Sequence, residues 1–177
     1  MLIDLSNVLS EPHKSLDEMV PCTLEVFKVK FGTYPVLSKD DVHITVEYIK
    51  DRQIEIHGSC KLTIEIPCDR CLDAVPTEFN LDFIKKVMVS DSGEEMVESD
   101  ELDESNYIDG YTLDVDKLIC NEVLIGWPTK ILCSEDCKGI CNVCGQNLNQ
   151  GTCNCEDTSL DPRMSVIRDV FKNFKEV

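Results

Sequence analysis

Eight of the eleven cysteines in this 177-residue chain fall at spacings that suit metal coordination. One pair is Cys68-x-x-Cys71. The other six run Cys133-x-x-x-Cys137-x-x-x-Cys141-x-x-Cys144 and then Cys153-x-Cys155. Thiolates hold zinc tetrahedrally, and two sulfurs a few residues apart reach one ion from a single turn of chain. Eight thiols supply two four-thiolate sites. Gly145, just after Cys144, permits the tight turn of a zinc knuckle, in which backbone N–H groups point at sulfur. One site is therefore assigned to Cys141, Cys144, Cys153 and Cys155. The other is assigned to Cys68, Cys71, Cys133 and Cys137, joining two distant segments. A second partition stays open, with Cys133, Cys137, Cys141 and Cys144 on one ion and Cys68, Cys71, Cys153 and Cys155 on the other. Iron–sulfur clusters also take four thiolates, but no redox-partner motif accompanies these.

Four-thiolate sites are closed, whereas catalytic zinc keeps a position open beside His or carboxylate ligands. The three histidines, His13, His43 and His57, form no ligand-spaced pair. The expectation is two structural zinc ions, no catalytic residue and no small-molecule substrate. A thioredoxin-like motif would start a helix in a βαβ setting, and the pattern before Cys68 is antiparallel β instead. Cys60 falls on the apolar face of its strand and reads as core. Cys22 and Cys120, without partners at ligand spacing, read as structural. No phosphate-binding glycine loop, serine nucleophile elbow or H-E-x-x-H is present.

The elements that must position these thiols are β in the first half. Between Gln53 and Ile66, Ile54, Ile56, Gly58, Cys60, Leu62, Ile64 and Ile66 alternate with polar neighbours. Period two means one buried and one wet face. Gly58 inside that run suggests a bulge or bend. Val42, Ile44, Val46 and Tyr48 repeat the code, and Lys50-Asp51-Arg52 is the turn of a hairpin between the runs. Phe27, Val29 and Phe31 predict an earlier strand, and Phe79, Leu81 and Phe83 a later one. The fold class is α+β, with an antiparallel β-sheet or small open barrel in the N-terminal half. Two helices and a zinc-knuckle segment make up the C-terminal half. The first helix starts at an Asp114 cap, carries Val115, Leu118, Ile119, Val123 and Leu124 on its apolar stripe, and ends at Trp127-Pro128. The second starts at Asp161-Pro162. Residues 1–90 form the β core and 91–112 an acidic loop. Residues 113–177 hold the helices and the cysteine segment, all packed as one domain.

The net charge of −17 is concentrated: residues 91–116 hold eleven Asp and Glu and no Lys or Arg. Such a chain does not bind nucleic acid through its overall field. Low apolar content makes the loop a solvated linker, or a docking tail for a basic partner. No apolar run reaches the length of about 18 residues that a membrane span needs, and the start MLIDLSNVLSEP has no basic leader. The default compartment is the cytoplasm, where clustered cysteines more often bind metal than pair.

The chain resembles the YceD family of large-ribosomal-subunit rRNA accumulation proteins. The resemblance is carried by C-D-R-C-L at 68–72, L-D-V-D-K-L at 113–118 and W-P at 127–128. It continues through L-C-S-E-D-C-K-G-I-C-N-V-C-G-Q-N-L-N at 132–149, C-N-C at 153–155 and D-P-R at 161–163. It implies a non-enzymatic role in accumulation or processing of 23S rRNA, with the eight clustered cysteines as metal ligands. The partner is then large-subunit rRNA or a ribosomal protein. For RNA contact the candidate cations are Lys28, Lys30, Lys50, Arg52 and Lys61, with Arg70, Lys85 and Lys86 as secondary candidates. The reading from another class is a thiol redox or metal-handling protein working through the Cys-x-x-Cys pairs.

Overall fold

Alternation of apolar and polar residues folds the first half of the chain into antiparallel sheet. The computed structural model describes residues 1–10, 14–50, 52–89 and 107–155. It divides into two units, one of Met1–Ile66 with Pro76–Thr129 and one of Pro67–Val75 with Lys130–Val177. The division differs from the boundaries read in the sequence. The first helix groups with the β residues, and the turn carrying Cys68 and Cys71 groups with the later cysteines.

In chain order the elements are β1 (Leu2–Asp4), α1 (Ser6–Ser10), β2 (Ser15–Val20), β3 (Val26–Val29), β4 (Gly32–Lys39) and β5 (Val42–Lys50). Then come β6 (Gln53–Pro67), β7 (Ala74–Met88), β8 (Ile108–Asp109), β9 (Thr112–Asp114) and α2 (Val115–Ile125). The architecture is α+β. The main sheet runs β2-β5-β6-β4-β3, and β7 also pairs with β6. β6 is the spine, since β5 uses Gln53–Ser59 and β4 uses Leu62–Ile64 along its length. Its even positions from Ile54 to Ile66 are all buried, as period two requires. The hairpin with β5 closes on the pair Lys50↔Gln53, and Arg52 takes a φ of 63° there.

Gly58 is not a bulge in the β5–β6 ladder. Its pairing with Ile44 is regular, and the register shifts lie at Tyr48/Lys50 and Val36/Ser38. Glycine is needed there because the Phe83 ring occupies the space that a Cβ would fill. Phe31 is also not a strand residue. It sits in the turn after β3 and is 63% exposed.

Asp114 caps α2 by accepting the Lys117 N–H at 3.3 Å, as its sequence position suggested. The buried face is Val115, Leu118, Ile119, Glu122 and Val123. Leu124, expected on that stripe, is exposed because it lies about half a turn round from Val115. Glu122 takes the inward place instead, with Lys85 Nζ 3.0 Å from its carboxylate.

Several strands escaped the periodicity. β1 pairs with β9 and β9 with β8, forming a three-stranded sheet of two- and three-residue strands. Residues 107–112, assigned by sequence to the acidic loop, therefore belong to a hairpin with Tyr107 and Ile108 buried. The acidic segment up to residue 106 and the helix expected from Asp161 lie outside the described residues.

Candidate metal centres

Cys68 and Cys71 sit in the turn between β6 and β7, not at the start of a helix. The Cys68 N–H donates to the Asp73 carbonyl at 2.8 Å, and the Leu72 N–H to the Cys68 carbonyl at 3.0 Å. The chain then turns through Leu72 at φ 63°. Cys141 and Cys144 repeat this geometry. There the Cys141 N–H donates to the Gln146 carbonyl at 2.8 Å, the Gly145 N–H to the Cys141 carbonyl at 2.9 Å, and Gly145 has φ 74°. The two Cys-x-x-Cys-x segments are thus the same knuckle, one with Leu and one with Gly at the left-handed position.

Around these knuckles the eight thiols gather into two groups of four. Cys68, Cys71, Cys133 and Cys137 form one, and Cys141, Cys144, Cys153 and Cys155 the other, with ligand atoms inside each group all within 4.8 Å of one another. This is the first partition considered above; the exchange of Cys133 and Cys137 with Cys153 and Cys155 does not occur. In the first group Cys68 and Cys137 sulfurs lie 3.8 Å apart and those of Cys71 and Cys133 3.4 Å apart. Tetrahedral zinc with Zn–S near 2.3 Å separates its sulfurs by about 3.8 Å. A disulfide needs about 2.05 Å, and all eleven cysteines are free thiols. The donor sets fit four-coordinate metal, and each group can hold one ion.

The local electrostatics favour anionic sulfur at the head of each knuckle. Burial opposes ionisation of Cys68, yet the backbone N–H groups of Cys71, Arg70 and Cys133 bring its pKa down to about 6. The N–H groups of Cys144 and Val143 and the Cys153 thiol bring Cys141 to about 6. Their neighbours resist. Cys71 is raised, first by burial and then by the Cys133 thiol. The thiol of Cys144 and burial push Cys155 up to about 12. Four crowded sulfurs cannot all ionise unaided; a bound dication removes that penalty.

A supporting set surrounds the first group, and the sequence reading had not assigned it. Asn149 Nδ2 donates to Cys137 Sγ at 3.2 Å, while its Oδ1 accepts the Lys138 N–H at 2.7 Å. Asn147 orients Asn149 by accepting its backbone N–H at 2.9 Å, and donates to Asp73 at 2.8 Å. The Cys133 N–H points at Cys68 Sγ at 3.4 Å. Asp69 accepts the Ile131 N–H at 2.7 Å and returns its own N–H to the Ile131 carbonyl at 2.9 Å. In the sequence these two amides are visible only as the N-L-N end of the 132–149 run that carries the family resemblance. The second group is barer: among its described contacts, the Val143 N–H reaches Cys141 Sγ at 3.4 Å.

The groups also differ in burial. Cys68, Cys71 and Cys137 are buried and pack with Val75, Leu132 and Ile140. In the second group Cys144 is exposed and the other three are half-buried. Gly139 at φ 78° brings its backbone against Arg70, where a Cβ would sit 3.1 Å from the Arg70 carbonyl oxygen. Ile140 then donates to that oxygen at 3.1 Å, and pairs with Asn147 across the hairpin that carries the second knuckle.

The candidate RNA cations do not converge. Lys28 is on β3, Lys30 in the following turn, Lys50 and Arg52 flank the β5–β6 turn, and Lys61 is on the wet face of β6. Nine residues of strand put Arg52 and Lys61 about 30 Å apart. Lys61 borders a surface basin with Asp40, Asp41 and Asp82, which offset its charge. The three secondary candidates have structural partners. Arg70 donates to the Cys137 carbonyl at 2.7 Å, Lys85 pairs with Glu122 at 3.0 Å and Lys86 with Glu55 at 3.2 Å.

Among the described residues no helix is long and apolar enough to cross a membrane. Compared with known proteins, residues 56–171 match the family model described as "Large ribosomal RNA subunit accumulation protein YceD". No curated protein and no solved structure matches the chain.

Proposed function

The chain belongs to the YceD family, and from that premise we propose that it supports accumulation or processing of 23S rRNA in the large ribosomal subunit. It works in the cytoplasm, by binding rRNA or a ribosomal protein, and carries out no chemistry of its own. What supports this reading is the family's name together with the closed character of both thiol groups. Four thiolates complete the coordination of zinc and leave no position for a substrate. We therefore assign two zinc ions with a structural role, which hold the knuckles and the segments between them.

Sedimentation of extract containing the tagged protein tests the role. Co-migration with large-subunit precursors is expected; a pool free of RNA under all growth conditions overturns it. Metal analysis of the purified protein should return two zinc ions per chain.

The exposure of Cys133 and Cys144 favours a second reading, a thiol redox or metal-handling protein. It requires disulfide exchange or metal transfer that Cys71→Ser abolishes. Tightly held zinc with no exchange eliminates it.

A further inference from the structure

The hairpin of β3 and β4 is basic in an acidic protein. From Val26 to Lys39 it contains Lys28, Lys30 and Lys39 and no Asp or Glu, in a chain of net charge −17. Lys39 is committed to the Leu24 carbonyl at 2.7 Å. Lys28 and Lys30 are exposed and neither is in an ion pair among the described residues, but Lys28 borders a surface basin with Asp114 and Asp116, which leaves Lys30 as the cation next to the turn's aromatic ring. Phe31 follows Lys30 directly and is exposed in the turn.

A single exposed phenylalanine needs no explanation by itself. Here, however, the ring is backed by other aromatics of the same unit. Its centroid is 5.8 Å from Trp127 in an edge-on arrangement and 6.3 Å from Tyr34. Trp127 is stacked on Phe27 at 5.6 Å and lies 5.4 Å from Tyr34 and 5.8 Å from Phe79. Gly32 leaves room for this, because a Cβ there would meet the Tyr34 phenol. Phe27 and Phe79 are buried and Trp127 and Tyr34 half-buried, so the cluster grades from core to a wet tip. Aromatic rings with adjacent cations are what unpaired bases and their phosphates require. To a basic ribosomal protein this hairpin offers no carboxylate, since Val26 to Lys39 holds no Asp or Glu.

Resting on the ribosomal-RNA reading above, we infer that this tip is a stacking platform for single-stranded RNA. Phe31 takes a base, the rings behind it hold Phe31 in place, and Lys30, next to it in the turn, takes a flanking phosphate.

Trp127 is the only tryptophan in the chain, so its fluorescence reports on the platform directly. The full, metal-loaded protein is titrated with a short single-stranded oligoadenylate. Binding should change the Trp127 emission. Phe31→Ala should raise the Kd by about tenfold or more, the loss of one stacked base, and Phe31→Tyr should restore it. Lys30→Gln should flatten the dependence of log K on log salt by about 0.7, the share of one phosphate on a single strand, and Lys28→Gln, beside Asp114 and Asp116, by less. Leu37→Ala, an exposed change on β4, controls for nonspecific effects and should bind like the parent. The circular dichroism of Phe31→Ala should match the parent, since its side chain is mostly in water. Binding unchanged in Phe31→Ala, oligonucleotide bound with silent Trp127, or no binding by the parent each overturn the platform. So does a result in which Phe31→Ala loses a ribosomal protein but keeps RNA. If the parent still co-migrates with large-subunit precursors in those cases, only the platform falls. Failure of co-migration removes the ribosomal role, while the titration still decides whether the tip binds RNA.

Discussion

The two units solve the problem of a core with different materials. The β unit packs large aliphatic side chains: Ile44, Ile54, Ile56, Ile64, Leu113, Leu118 and Ile119 are all fully buried there. Each such side chain contributes roughly 1.5–3 kcal/mol on burial. Among its described residues the cysteine unit has little comparable. Its buried cluster is Cys68, Cys71 and Cys137, covered by the partly buried Val75, Leu132 and Ile140. The other described residues form knuckles, short hydrogen-bonded turns and side-chain amides. Ordering such a segment costs about 1–2 kcal/mol per residue in backbone entropy, more than this described cluster of three thiols and three partly buried aliphatic side chains contributes. The thiols can take its place, because an ion bound only by the folded arrangement would contribute its binding free energy to folding.

Stripping the metal breaks the comparison most forcefully. A structural zinc site carries about 10–16 kcal/mol of apparent binding free energy. Excess chelator should therefore unfold the cysteine unit while the β unit keeps its sheet. Far-ultraviolet circular dichroism should retain the β signal, and amide exchange should accelerate across 130–155 and 67–75 but stay slow along β5 and β6. Collapse of both sets together would show that the β unit also depends on the metal.

The β unit has its own vulnerable point, and it is electrostatic. Glu122 is buried on the inner face of α2, and Lys85 is its cation. Lys85→Met leaves that carboxylate without its ion partner, at a cost of about 3–5 kcal/mol. Denaturant unfolding should show the β transition moving to lower midpoint, with metal release unchanged. Adding Glu122→Leu removes the stranded charge and should recover most of the loss. If the single variant is neutral, the pair is not what stabilises this face.

How much of this was legible in the sequence depends on how local each cause is. The buried face of β6 was legible because period two is written in consecutive residues. The eight thiols were legible because ligand spacing is local, yet choosing between two partitions required knowing that 133–137 lies beside 68–71. The reason for Gly58 was not legible because the object that excludes a side chain there, Phe83, is on another strand. Glu122 was invisible as a core residue, since only Lys85 makes an inward carboxylate tolerable. β1, β8 and β9 are too short to show any period.

Within the cysteine unit the two metal groups differ in their support, and Asn149 sharpens that difference. Its amide donates to Cys137 Sγ at 3.2 Å and first among the causes holds that thiol's pKa below its ordinary value. Partners of this kind typically matter 10–100-fold in metal affinity. Asn149→Ala should weaken one of two sites by about that factor in competition with a chromophoric chelator, leaving the Cys141 group unaffected. Equal weakening of both would mean that the groups fold and bind as one.

The smallest expected effect separates the two knuckles themselves. Leu72 and Gly145 occupy the same left-handed position, at φ 63° and 74°. For a residue with a Cβ that conformation costs roughly 1–2 kcal/mol; glycine adopts it freely. Leu72 gains no burial in compensation, being 64% exposed. Leu72→Gly should therefore stabilise the metal-loaded cysteine unit, by about 1 kcal/mol or less once the greater freedom of glycine in the unfolded chain is counted. Gly145→Leu should destabilise it by about 1–2 kcal/mol, although no heavy atom stands within 4 Å of a Cβ placed there. The signs should be opposite because the backbone at the two positions is alike and only the residue differs. Denaturant midpoints of the metal-loaded variants measure both. Equal signs would mean that the hydrogen bonds from Cys68 to Asp73 and from Cys141 to Gln146 do not define equivalent turns. A loss on Leu72→Gly would mean that the leucine side chain contributes something in the folded unit that offsets its strain.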